Sequence, residues 1–333
     1  MSVTTIKLTP TGLAVLIGSA FIIIIFYWRG IVKNREIETI SLKNLLVLAI
    51  KLSQDGGRQV ARVQKSAHLN VRMKGKTREG VDDPKTDADL LSHRVIEKGF
   101  REVHSGLTII SEEHDEKNVV GGDVSEESFL DYPVELADVE DDFVPLRDVT
   151  VWVDPLDATQ EFTEDLLQYV TTMICVAVKG RPVIGVIHKP FSQETVWGWV
   201  SVAKSSSLFL ADRKERKPKI IISRSHAGMV RDVITAFGND TDIITAGGAG
   251  YKTLEVINGN VDAYVHITEI KKWDLCAANA LLSCLGGKMT TLNGRNIDYG
   301  SQTNLVNQGG LLGATRDHYK YLQMLQAFES VSK

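Results

Sequence analysis

The 333-residue sequence has no surplus of bases. It carries 38 Lys and Arg against 42 Asp and Glu, for a formal net charge of −4, and its pI is near 6.1. That excludes the strongly basic footprint of a protein that binds a nucleic-acid polymer. Cysteine is scarce. Cys175, Cys276 and Cys284 have neither CxxC nor Cys/His spacing, so no zinc site is expected. All three are expected to be buried free thiols, and so few thiols leave an oxidising compartment allowed. No internal repeat is visible. Nor does the first apolar run end in the small-x-small pattern of a cleaved signal peptide; it ends in Tyr27-Trp28-Arg29-Gly30.

That run, residues 13–28, reads LAVLIGSAFIIIIFYW and holds no charge. Its length is near the lower limit of about 17–25 residues, flanks included, for a membrane-spanning helix. A short span suits the thinner membranes of the early secretory pathway. Residues 22–25 leave no polar face, which argues against a core helix, and Tyr27 and Trp28 stand where an interfacial aromatic belt would. The expected organisation is a tail at 1–12, an uncleaved transmembrane signal anchor at 13–28 and a charged stem at 29–40. Orientation stays open. Lys7 precedes the run while Arg29, Lys33 and Arg35 follow it, which by a positive-inside count puts the rest of the chain in the cytosol. Against this, Asn239-Asp240-Thr241 is an N-glycosylation sequon, meaningful only in a lumen.

With 43% hydrophobic residues, the remainder can bury a substantial core, as one large domain or two joined subdomains. From Ser41 the sequence has helical periodicity, with a break at Gly56-Gly57. A polar turn over 82–89 leads into a helix-like run ending at Phe100, and a strand over 107–111 ends at Glu112-Glu113. Residues 114–148 are rich in Asp and Glu without apolar periodicity and read as a solvated insertion holding one short helix. Strands follow at 149–153, 169–178, 183–188 and 194–202. A second block places strands at 219–223, 242–245 and 262–266. Its helices fall at 229–237, 252–258 and 274–285, the last stopped by Gly286-Gly287. The alternation implies a layered α/β architecture, with an α+β subdomain over 41–212 and an α/β subdomain over 213–333.

The chemistry is concentrated in acids that follow strands. The strand at 149–153 runs into Asp154-Pro155-Leu156-Asp157-Ala158-Thr159, where proline is expected to stop the ladder and make a turn. Two carboxylates three residues apart, with no base between them, repel unless a cation neutralises them. A hard ion such as Mg²⁺ prefers carboxylate and carbonyl oxygens, and the Leu156 carbonyl is a natural extra donor in such a turn. Glu112 follows a strand in the same way, and Asp274 opens a helix. Taken singly, Glu112 reads as a surface loop acid and Asp274 as a charge favoured by the helix dipole; together they describe a metal site. The stretch Gly247-Gly248-Ala249-Gly250-Tyr251-Lys252 reads either as a backbone cradle for an anion with a lysine beside it or as a plain turn before a helix. His226 by itself reads as structural.

Glu112-Glu113, DPLDAT at 154–159, and Trp273-Asp274 with a helix ending in Gly286-Gly287 together resemble the lithium-sensitive, Mg²⁺-dependent phosphatase superfamily. It contains inositol monophosphatases, fructose 1,6-bisphosphatases and 3′-nucleotidases. The stretches YVTTMICVAVKG, GVIHKPFS, SRSHAGMV, AGGAGYK and IKKWDLCAANALL are similar to its Golgi nucleotidase branch, which acts on adenosine 3′,5′-bisphosphate. The resemblance covers residue 41 to the C-terminus and implies an αβαβα sandwich. It implies that Glu112, Asp154, the Leu156 carbonyl, Asp157 and Asp274 hold two or three Mg²⁺ ions. It further implies that Asp89 and Thr159 activate the attacking water and that Ser223, His226, Gly248 and Lys252 hold the nucleotide. A single-pass type II Golgi membrane protein follows, with a luminal catalytic domain glycosylated at Asn239. Its reaction releases AMP and phosphate from a by-product of sulfotransferases, and family members often form dimers, so a homodimer is an expectation. An inositol monophosphatase and a membrane-tethered member without turnover are the alternatives.

Overall fold

The computed structural model describes residues 9–33, 38–66, 68–76, 80, 82–114, 133–210, 217–224, 236–238 and 240–331. They belong to two compact units, Met1–Thr39 and Ile40–Lys333. The first holds one 24-residue helix, α1 (Pro10–Lys33). Its described side chains at 17–24 are exposed, with Phe21 and Ile23 each about two-thirds accessible (65% and 67%). Among the described residues no helix is long and apolar enough to cross a membrane, so the spanning anchor expected over 13–28 is not supported. The side chains of Leu13, Val15, Leu16 and of residues 25–33 lie outside the described set.

The second unit opens with β1 (Thr39–Ser41) and α2 (Leu42–Ser66). The Ser41 hydroxyl accepts the Asn44 N–H at 2.9 Å and donates to Asp141 at 2.6 Å, so a serine just before an apolar-periodic run caps the helix. The expected break at Gly56-Gly57 is absent. A Cβ on Gly56 would lie 2.6 Å from Ser92 Oγ, and one on Gly57 2.4 Å from the His188 ring. These glycines are a close-approach surface, and each costs only about 1 kcal/mol of helix propensity. After the hairpin β2 (Arg72–Lys76) and β3 (Asp82–Lys85) comes α3 (Asp87–Val103). Thr86 caps it in a capping box whose third-position partner is Asp89.

The first sheet contains β4 (Thr108–Ser111), β6 (Val149–Asp157), β7 (Thr171–Val178), β8 (Arg181–Lys189), β9 (Glu194–Trp199) and β10 (Ala203–Lys204). Their order is β10-β9-β8-β7-β6-β4, antiparallel except for the parallel pair β4–β6. β5 (Phe143–Pro145), from the acidic insertion, pairs with β1, and 3₁₀ turns at Val134–Leu136 and Leu146–Asp148 supply short helical pieces. Residues 115–132 of that insertion lie outside the described set. β6 does not stop at Pro155. It continues to Asp157 with a register shift between Asp154 and Asp157, so the missing proline N–H falls where the ladder is already irregular.

The second sheet contains β11 (Lys219–Ser223), β12 (Asp242–Ala246), β13 (Ala263–His266), β15 (Lys288–Thr290) and β17 (Leu311–Ala314), ordered β12-β11-β13-β17-β15. A small ladder joins β14 (Ile270–Lys271) to β16 (Val306–Asn307). Helices α5 (Ala249–Ile257) and α6 (Trp273–Cys284) contact both sheets, α2 and α3 cover the outer face of the first, and α7 (His318–Val331) packs on the second. These are the five layers of an αβαβα sandwich. The strand period of two divides β6 and β7 cleanly. Val151, Val153, Ile174 and Val176 face the α2 core, while Trp152, Met173, Cys175 and Ala177 face the core around α6. The helix expected at 229–237 falls largely on residues 225–235, outside the described set.

The expectation of three free thiols is corrected: Cys175 and Cys276 form a disulfide, and only Cys284 is free among the three. The two lie 101 residues apart, so no sequence spacing announces the pair. Packing brings them together. Gly185, opposite Cys175 in the ladder, has no side chain, and a Cβ there would sit 2.4 Å from the Ala277 carbonyl oxygen. That lets α6 lie directly on the sheet with a Cα–Cα separation of 5.6 Å, within bridging range.

Candidate active site

The acids converge because strand ends and helix starts meet. Glu112 stands just beyond β4 and its N–H extends the pairing to β6 by bonding the Val153 carbonyl at 3.1 Å. Asp154 and Asp157 occupy the end of β6, Asp89 the first turn of α3, and Asp274 the first turn of α6. The N-termini of α3, α5 and α6 bring positive dipole ends toward negative charge. Glu112, Asp157 and Asp274 line one cavity of about 410 Å³, together with Ser223, Gly248, Lys252, Tyr264, Lys76 and Lys271.

The electrostatics set this cluster apart. Burial, and then the charges of Glu112, Asp157 and Asp274, push the Asp154 carboxyl well above its ordinary range. Burial and then Glu112 and Asp157 do the same to Asp274. Glu112 rises to about 7, chiefly through burial, although Lys74 opposes the shift. These are the signs of like charges desolvated together. Asp157 is also raised by burial, but it is better served. Its Oδ1 accepts the Ala249 N–H at 3.0 Å; its Oδ2 accepts the Gly250 N–H at 2.8 Å and the Thr171 hydroxyl at 3.1 Å.

The glycine-rich stretch therefore does hold an anion, and that anion is Asp157. Gly248, with φ +62°, makes the approach: a Cβ there would meet the Tyr169 carbonyl at 2.6 Å. Lys252 is buried, with its ammonium 5.1 Å from the Tyr264 ring centre and 3.5 Å from the Ala246 carbonyl. Burial brings it down to about 8 against the pull of Asp157, Glu161 and Asp274.

Asp89 and Thr159 are joined. The Thr159 hydroxyl lies 2.9 Å from Asp89 Oδ1 and 3.1 Å from the Leu156 carbonyl. Ala158, in the left-handed region at φ 72°, turns Thr159 toward them, a strain of the kind kept at functional sites. Asp89 Oδ2 accepts the Thr86 N–H at 2.7 Å and its hydroxyl at 2.6 Å. Burial still lifts Asp89 to about 6. Ser223 lines the same cavity; His226 and Asn239 lie outside the described residues.

Three features had no sequence signal. Lys74, on an exposed hairpin strand, bonds Glu112 at 2.8 Å and also contacts Glu113. Burial alone would lower this ammonium, but the two glutamates together hold it above its ordinary value. Lys85 reaches the other oxygen of Glu113 at 3.3 Å. Finally, the Pro155 carbonyl accepts two buried hydroxyls, Ser92 at 2.8 Å and Thr172 at 3.2 Å, which pins the turn carrying Asp154 and Asp157. No three acids or imidazoles among the described residues are closed into a ready metal cage. Asp157 points at backbone N–H groups and Glu112 at Lys74. The donor set still fits a divalent cation: it is all oxygen, buried, and short of positive charge at Asp154 and Asp274.

Comparison with known proteins follows the same lines. The model of the inositol monophosphatase family matches residues 41–329. The chain belongs to the inositol monophosphatase family. As a member of it, the protein is a phosphoric monoester hydrolase. It is 46% identical over 298 residues to a mouse (Mus musculus) protein named Golgi-resident adenosine 3′,5′-bisphosphate 3′-phosphatase, covering 85% of this chain and 81% of that one. It is 43% identical over 339 residues to zebrafish (Danio rerio) inositol monophosphatase 3, covering 97% of each. Among solved structures it shares the fold of the extragenic suppressor protein suhB from Bartonella henselae, with a TM-score of 0.64 at 18% identity, covering 85% of this chain and 98% of that one. The family member's fold is thus the αβαβα sandwich built above.

Proposed function

We propose that this enzyme is a Mg²⁺-dependent, lithium-sensitive phosphatase that removes the 3′-phosphate of adenosine 3′,5′-bisphosphate to give AMP and phosphate. The observation that carries the reading is the mixed charge of one cavity. Glu112, Asp157, Asp274, Asp83 and Glu269 line it together with Lys252, Lys76, Lys271 and Ser223. Acids take a phosphate only when cations lie between, whereas lysines take a second phosphate directly. A substrate with two phosphates satisfies both. The name of the mouse relative agrees with this reading.

Glu112, Asp154, the Leu156 carbonyl, Asp157 and Asp274 would hold two or three Mg²⁺. When bound, such ions cancel phosphate charge, acidify a bound water and stabilise the leaving oxygen. The chain's own contribution is the proton path. Thr159 Oγ holds the nucleophilic water and Asp89, raised to about 6, takes up its proton near neutral pH; general-base help of this kind is worth ~10²–10⁴-fold. The P–O bond to the 3′-oxygen breaks, and the AMP hydroxyl takes a proton from solvent. Ser223, His226, Gly248 and Lys252 are assigned to the nucleotide.

The names of the Golgi-resident relatives support a Golgi enzyme, here read with a luminal domain glycosylated at Asn239 and with the uncharged run at 13–28 as its anchor, although no described helix is long and apolar enough to cross a membrane. Alkaline carbonate extraction tests the anchor: release of the chain into the supernatant would refute it. The decisive activity test compares phosphate release from adenosine 3′,5′-bisphosphate and from inositol 1-phosphate, with Mg²⁺ and with added Li⁺. Preference for the inositol ester would replace this reading by the one that the zebrafish relative's name suggests; no release from either would end both.

A further inference from the structure

The Cys175–Cys276 disulfide stands beside two of the acids, Asp154 and Asp274. On the sheet, Asp154 pairs with Met173 and Trp152 pairs with Cys175. The period of two in a strand puts Met173 and Cys175 on the same face, which is the face that packs on α6. On the helix, Asp274 and Cys276 share the first turn of α6. The disulfide therefore ties the helix that carries Asp274 to the strand beside the one that carries Asp154. Both cysteines are buried, at 1% and 0% exposure, so the tie is a core feature.

The tie has work to do. Asp274 acts on Asp154 as a like charge, so in their ionised forms the two push α6 and β6 apart. The first turn of α6 is held by packing, with Leu275 and Cys276 fully buried, while Lys272, just before it, makes no side-chain cap. The near-contact at Gly185 depends on α6 staying seated on the sheet.

We propose that the Cys175–Cys276 disulfide positions Asp274 against Asp154 and thereby sets the affinity of the site for a divalent cation. The proposal rests on the reading of these acids as a metal site. Reduction would consume one dithiol: two electrons pass to the protein disulfide, each cysteine sulfur gains a proton, and the reductant closes to a cyclic disulfide. Separated thiols then let the first turn of α6 relax outward, and the two acids no longer face one ion.

The test uses the full chain folded under oxidising conditions, with Mg²⁺ affinity measured by calorimetry well below the melting temperature. Thiol counting in denaturant should find one thiol before reduction and three after; three before reduction would overturn the proposal. The Cys175→Val/Cys276→Ala variant should bind Mg²⁺ ~10-fold more weakly. Leu281→Ala, a cavity variant two turns further along α6, should lower the melting temperature and leave Mg²⁺ affinity unchanged. If the double variant does not fold, wild type reduced by dithiothreitol and alkylated should show the same loss. Equal affinity with and without the bond would overturn the proposal while leaving the metal reading intact. Wild type that binds no Mg²⁺ at all would overturn both.

Discussion

The two aspartates of β6 meet the same electrostatic problem in opposite ways. At the end of the strand, Asp157 is answered by protein: two backbone N–H groups, the Thr171 hydroxyl and nearby Lys252. Three residues earlier, Asp154 receives, among the described residues, the Leu156 N–H of its own turn at 3.2 Å, and faces three other acids. Buried polar groups in folded proteins are normally satisfied. Where one acid is satisfied internally and its neighbour three residues away is not, the neighbour is reserved for something that is not protein. Lys74 fits between these cases. It gives Glu112 a cation tethered on a hairpin.

The sharpest way to break this contrast is Asp154→Asn. Phosphate release should fall by more than the ~100-fold typical of losing a group behind the metal ligands. The metal-free protein should nevertheless melt at a higher temperature, since a buried like charge is gone. Lower stability would mean that Asp154 is already satisfied. Among the lysines lining the cavity, Lys252→Met should raise KM for the bisphosphate ~10–100-fold, in keeping with the loss of a charge-assisted bond, and leave Mg²⁺ affinity nearly unchanged; a change confined to Mg²⁺ binding would assign Lys252 to the acids instead.

Lys74→Met separates the tethered cation from the free one. It should lower metal-free stability by about 1–3 kcal/mol, the cost of leaving buried charge unpaired, and increase the stabilisation that Mg²⁺ gives. An unchanged melting curve would make the contact with Glu112 incidental.

Proton linkage has a definite sign. Glu112 at about 7 and Asp89 at about 6 keep protons that the unfolded chain has lost, so their contribution to metal-free stability falls as pH rises from ~4 through 7. His188, lowered to about 4 by burial, contributes in the reverse sense up to its unfolded value near ~6.5. Melting curves mix the two, so the clean readout is proton release on Mg²⁺ binding. Calorimetric enthalpies should depend on the buffer at pH 6 and progressively less as pH rises beyond 7. Independence of buffer at pH 6 would mean that Glu112 is ionised before Mg²⁺ arrives. The smallest effect belongs to Thr172→Val. It removes one of two hydroxyls on the Pro155 carbonyl while Ser92 remains, at a cost of ~1 kcal/mol and a correspondingly slight loss of Mg²⁺ affinity.

Much of this was legible in the sequence. Strand ends followed by acids, the helix opened by Trp273-Asp274 and the acids of the Asp154–Thr159 stretch all depend on near neighbours. The misreadings came from residues whose role is set by distant ones. Gly56 and Gly57 look like a helix break, yet they make room for Ser92 and His188. Pro155 looks like a strand end, yet it occupies an irregular step in a strand that continues. Cys175 and Cys276 look like isolated thiols because a separation of 101 residues carries no spacing rule.

The sequence by itself determined the family, the layered architecture and which carboxylates gather, because hydrophobic period and turn chemistry act over a few residues. Only the tertiary structure decided which acid is satisfied by backbone, that Lys74 stands among the glutamates, that two hydroxyls fix the Pro155 turn and that a disulfide holds α6 to the sheet. Each of those depends on distance and shared burial between segments far apart in the chain, and both quantities exist only once the layers have closed.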